Sequence, residues 1–133
     1  MTTPNTEQPQ SKFLAGIAEI SKAIMEQEYI EDILALIVSV TAKVTGSKIC
    51  SILLLDKKSD ELVLRASHSD SGEYNQKSNT PLGKGIAGRV AVTGEPIKVP
   101  DVRTDPRFLN KRVAESDGLV SLLSVPMRVE GEI

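Results

Sequence analysis

Residues 81–108 read PLGKGIAGRVAVTGEPIKVPDVRTDPRF, and the placement of glycine and proline in this stretch sets the reading of the whole chain. Gly83 and Gly85 open it, and Ile86, Ala87, Val90 and Ala91 follow at helical spacing. Gly94 stands where a helix of about two turns needs a left-handed residue to stop, and Pro96 blocks its continuation. Ile97, Val99 and Val102 have the spacing of a short strand and its exit. Asp105-Pro106 is a start signal for a further helix, because aspartate accepts from exposed N–H groups and proline gives up an N–H that has no partner there. The expected order is therefore loop, short helix, short strand, capped helix.

Gly83-x-Gly85-x-x-Gly88 also matches the dinucleotide-binding fingerprint in form. That fingerprint requires a hydrophobic strand immediately before it. The residues leading up to it, through Thr80, are a polar loop. The glycines are better explained as permitting a tight turn and a close approach of the helix to a sheet.

These residues carry a resemblance. Gly-x-Gly-Ile-Ala-Gly-x-Val, then Thr93-Gly94-Glu95-Pro96, Asp101-Val102 and Asp105-Pro106-Arg107-Phe108, resembles the middle of a GAF domain, and Ser121 to Met127 (SLLSVPM) resembles the family's following strand. The similarity runs from about Ile17 to Ile133. It implies an α/β (α+β) fold, GAF-like and PAS-related, with an antiparallel sheet flanked by helices and a small-molecule pocket beneath the short helices. It also implies that the family's final central strand and C-terminal helix would follow Gly131-Glu132-Ile133, so the domain is expected to be incomplete at its C-terminus.

Working outward, the 133 residues suffice for one domain with a real core. The net charge of −2 gives no general attraction for nucleic acid. No apolar run approaches a membrane span, and the cytoplasm is the expected location. Charge is uneven: residues 19–32 hold five acids against Lys22, and residues 82–112 hold seven bases against three acids. A solvated helix face explains the first. An anion-binding rim and surface scatter both remain open for the second.

Residues 1–11 (MTTPNTEQPQS) are polar and aperiodic and read as a disordered lead, leaving 12–133 as the domain. A helix is expected from Lys12. Its Phe13, Ile17, Ile20 and Ile24 are spaced 4, 3 and 4, the seam of a coiled coil. A helix facing its own core gives a similar stripe, but in the resembled family the first helix commonly joins a dimer bundle, and a homodimer contact is favoured. Ile30 to Thr45 forms a second helix that Gly46 stops. Lys48 to Asp56 is apolar on both faces, as a central strand requires. Lys57 to Asp60 turns the chain into a half-exposed strand, Glu61 to His68. After the central stretch come a helix from Pro106 to about Glu115 and a strand from Leu119 to about Glu130, in which Pro126 should break the pairing.

Chemistry-bearing side chains are few. A single histidine, His68, excludes a multi-histidine metal site, and a single cysteine, Cys50, excludes a disulfide framework. Cys50 falls in the most apolar strand and reads as a core residue. Relatives that reduce methionine sulfoxide relay electrons through several cysteines, which argues against that activity here. Cyclic-nucleotide-binding relatives follow an asparagine–lysine pair with a spaced phenylalanine; Asn110-Lys111 is present, but no phenylalanine follows it. The reading is a non-catalytic sensory and dimerisation module of a bacterial signalling protein, with a structural domain lacking a ligand as the alternative. Under the short helices, Ile86, Val90, Val102, Phe108 and Ser121 are expected to line a pocket. The amides opening the helix at Gly85, with Lys84 or Arg89, are expected to meet an anionic group of a guest. No cofactor is implied.

Overall fold

A computed structural model describes residues 9–26, 29–69 and 79–133. In chain order the elements are α1 (Pro9–Met25), α2 (Ile30–Thr45), β1 (Ile49–Asp56), β2 (Glu61–Ser69), β3 (Thr80–Pro81), α3 (Gly85–Thr93), β4 (Ile97–Val99), α4 (Lys111–Asp117) and β5 (Leu122–Ser124). Strands β1, β2 and β3 form one sheet in that order, and β4 and β5 form another. The mixture of helices with antiparallel pairs is the expected α/β arrangement.

The chain divides into two compact units. The first contains α1, α2, the start of β1 and the end of β2. Here α2 buries Leu34, Val38, Val40 and Ala42, a stripe at helical spacing that supplies most of this unit's apolar burial. Gly46 ends the helix at φ 69°, with its N–H on the Ala42 carbonyl. Helix α1 buries only Gly16 and Ala23, seven residues apart and so on one face. A Cβ at Gly16 would collide with Val40, so the missing side chain is what lets α1 lie close on α2. The other face stays open: Phe13 is 53% exposed, Ile17 46% and Ile24 55%. In this unit Arg65 on β2 reaches Glu31 on α2 at 3.3 Å, a surface pair that contributes little.

The second unit contains the tip of the β1–β2 hairpin and everything from β3 onward. Its core is Ile86, Val99, Val102 and Ala114, against which Ile97, Phe108, Leu119 and Leu122 pack. Strand β4 pairs with β5 from Ile97↔Ser124 to Val99↔Leu122. Helix α3 ends as its sequence predicts, at Gly94 with φ 71°. Gly88 sits where a Cβ would lie 2.6 Å from the Pro81 carbonyl oxygen, so α3 approaches β3 as closely as glycine allows.

Several boundaries differ from the sequence reading. The first helix starts at Pro9, not Lys12, because proline is at ease in a first turn; residues 1–8 of the expected lead lie outside the described residues. The polar loop before Pro81 falls largely on residues 70–78, also outside them, but its end forms β3, with Thr80 buried and paired to Leu62. The helix expected from Pro106 starts only at Lys111, because the Asp105 side chain is engaged in a turn of its own. The long strand expected over Leu119–Glu130 is ordered as a ladder only at Leu122–Ser124. Pro126 follows two residues later, and without an N–H it cannot extend the pairing.

Candidate functional site

Three of the expected pocket residues, Ile86, Val102 and Phe108, do come together, in the core of the second unit. They do so because α3, the loop after β4 and the segment before α4 each contribute an apolar side chain to the same interior. Val90 is buried too, at 3% exposure, on α3. The polar candidates lie elsewhere. Lys84, Arg89 and Ser121 carry exposed side chains. The amides opening α3 are partly committed already: Gly83 N–H donates to the Gly88 carbonyl at 3.0 Å, and Lys84 N–H to the Pro81 carbonyl at 3.1 Å. The interior assembled here is apolar, with no cation among these residues turned into it.

The basic residues of this region have a different job. Asp101 and Arg103 form one small unit and Asp105 and Arg107 a second, two residues apart in each case. In the first, the Asp101 carboxylate accepts from the Arg103 backbone N–H at 2.9 Å and from its guanidinium Nε and Nη2, both at 2.9 Å. In the second, Asp105 accepts from the Arg107 N–H at 2.8 Å, Nε at 3.0 Å and Nη2 at 2.7 Å. Each pair closes a turn on itself and locks it with a fork-shaped ion pair. Lys111 completes the loop. Its Nζ donates to the carbonyls of Val102 at 3.0 Å, Arg103 at 3.4 Å and Asp105 at 2.8 Å, with the Phe108 ring centroid at 6.0 Å. The excess of bases in residues 82–112 therefore includes three cations used within the chain. Sequence reasoning missed this, although the repeated Asp-x-Arg at 101 and 105 was a visible signal.

The electrostatics follow from that geometry. The side-chain bonds from Arg107, and then its backbone N–H, hold Asp105 at about 2, below the ordinary 3.8. Arg103 lowers Asp101 in the same way. A carboxylate held below its ordinary range adds stability that is complete above about pH 4 and is lost as pH falls towards 2. We expect Asp105→Asn to melt below the wild type at neutral pH. The gap should close as pH falls through that window, as read by circular dichroism melts. A gap independent of pH would show that the ion pair does not act.

The described residues contain no group of three or more His, Cys, Asp or Glu side chains placed to hold a metal. No helix among them is long and apolar enough to cross a membrane. Cys50 in β1 is half-buried, and burial pushes its thiol upward, away from the thiolate that sulfur chemistry needs. In the first unit, a groove of about 480 Å³ runs along α1 and α2, past Lys12, Ala15, Gly16, Glu19, Val40 and Lys43.

Comparison with known proteins matches residues 30–133 to the family described as GAF domain. The chain is 40% identical over 80 residues to the nitrogen fixation protein VnfA of Azotobacter vinelandii; the match covers 57% of this chain and 15% of that protein's length. Among solved structures it is similar to the A. aeolicus nlh2 GAF domain in an inactive state, with TM-score 0.77 and 23% identity over 95% of this chain and 76% of that one. It is also similar to the GAF domain of a phosphoenolpyruvate-protein phosphotransferase (ptsP) from Coxiella burnetii, with TM-score 0.75 and 22% identity over 95% and 74%. A third similar structure is a free methionine-R-sulfoxide reductase from Neisseria meningitidis in complex with its substrate, with TM-score 0.72 and 21% identity over 99% and 74%. The match over residues 30–133 takes in every element from α2 to β5, and the chain belongs to the GAF domain family.

Proposed function

We propose that this chain is the small-molecule-sensing and dimerisation domain of a bacterial signal-transduction protein, acting in the cytoplasm without catalysis of its own. The observation that carries the reading is α1. It precedes the family-matched residues, buries only Gly16 and Ala23 among its described residues, and leaves Phe13, Ile17 and Ile24 exposed. A second copy suits that seam, because its flanking positions are Leu14, Gly16, Ser21 and Ala23, with no charge to repel the same face of another chain. Dimerisation would place two α1 helices side by side. The non-catalytic part is supported by Cys50, a single burial-raised thiol where sulfoxide reduction needs a relay. The likeness to a sulfoxide reductase is one of fold.

Native mass spectrometry of protein purified from cells tests both halves. We expect the mass of two chains, with a small molecule retained. A monomer with no adduct would overturn the reading, and a bare dimer would leave a structural interaction domain.

A further inference from the structure

We propose that Asp117 is the polar contact of the small-molecule site in the second unit, and that it selects a cationic guest. The guest would be an organic ammonium or guanidinium compound whose apolar part rests on Phe108 and Leu119, the half-buried side chains packed against the core cluster. The proposal rests on the sensory reading above and adds to it the charge of the guest.

Asp117 is the last residue of α4 and only half-buried, yet its Oδ2 is turned away from solvent with no hydrogen-bond partner among the described residues. It lies three residues after Ala114, which is 3% exposed and part of the apolar cluster. Residues three apart share a helix face, so Asp117 stands on the side of α4 that meets the cluster. Nothing local accounts for an acid in that place. The C-terminus of a helix carries the negative end of its dipole, which disfavours a carboxylate. The nearest amides are engaged: Gly118 N–H and Leu119 N–H both donate to the Ala114 carbonyl. Three basic side chains are engaged as well: Arg103 with Asp101 and Arg107 with Asp105 in the preceding loop, and Lys111 at the start of α4 with three carbonyls. A buried polar atom without a partner is uncommon in native proteins and calls for an explanation. Local rules are broken most often at functional sites. A cation entering from solvent would supply both the missing donor and the missing charge.

The test measures thermal unfolding of the whole chain with three probes of matched shape at millimolar concentration: phenethylammonium, phenethyl alcohol and phenylacetate. Wild type, Asp117→Asn and Asp117→Leu are compared. Phenethylammonium is expected to raise the wild-type midpoint, the other two to leave it within error, and Asp117→Asn to lose the response. Without any probe, Asp117→Leu should melt above the wild type, by about 3–5 °C, because the orphaned oxygen is gone. An ammonium response retained in Asp117→Asn, or an equal response to phenylacetate, would overturn the proposal. If an anionic molecule co-purifies with the protein, the charge assignment fails while the sensory reading stands. If no probe acts and nothing co-purifies, both fail.

Discussion

Gly88→Ala is expected to destabilise the protein by about 3 kcal/mol, the upper range for forcing extra volume into a packed site. The new Cβ would lie 2.6 Å from the Pro81 carbonyl oxygen and 3.1 Å from the Gly83 amide nitrogen. Both are backbone atoms, so no rotamer change relieves the clash. Movement would also stretch the 3.0 Å bond from Gly83 N–H to the Gly88 carbonyl, which holds the turn before α3. The control is Gly46→Ala. Gly46 has φ 69° but no heavy atom within 4 Å of an added Cβ, so only the left-handed backbone opposes the substitution, at about 1 kcal/mol. Chemical denaturation of the two variants separates a steric cost from a conformational one. Equal losses would mean that the close approach of α3 to β3 does not limit stability.

Ile17→Glu is expected to turn a dimer into a monomer. Ile17 is the second residue of the 4-3-4 stripe and is nearly half exposed in the single chain. The charge is therefore tolerated by the protomer but not by a seam closed by a second copy. Burying an unpaired carboxylate between chains costs several kcal/mol. Since each 1.4 kcal/mol is tenfold in affinity, dissociation should strengthen by about 100-fold or more. Sedimentation velocity over a concentration series reads this directly. Lys22→Glu, on the outer face of the same helix, is the matched control and should sediment as the wild type. If Ile17→Glu also sediments as the wild type, α1 is not the contact.

The two predictions draw on different kinds of information. Gly46 and Gly94 were legible as helix stops because the reason is contained in one residue: at φ 69° and 71° only glycine avoids a Cβ penalty. The apolar run that became β1 and the loop–helix–strand order around Gly83 were legible for the same reason, as each depends on neighbours within a few positions. So was the family, whose motif is continuous. That Ile86, Val102 and Phe108 would share one apolar core was also readable, since each is an apolar position of its own short element.

What failed was local signals with two possible uses. Asp105-Pro106 is a good helix start in isolation, but Arg107 stands where its guanidinium can grip the same carboxylate. The carboxylate holds the Arg107 N–H and guanidinium together, which closes a tight turn on that residue, and the helix waits until Lys111. Lys84, Arg89 and Ser121, expected to meet a guest, carry exposed side chains, a placement set by the fold and not by their neighbours in sequence. The engagement of Lys111 with three carbonyls and the isolation of the Asp117 oxygen have no sequence signature, because each is a statement about which distant atoms are, or are not, within reach. Sequence by itself determined where the backbone turns, which faces are apolar and which family the chain joins. Only the tertiary structure decided which charges are consumed within the chain, because an ion pair is settled by geometry between side chains and not by their order.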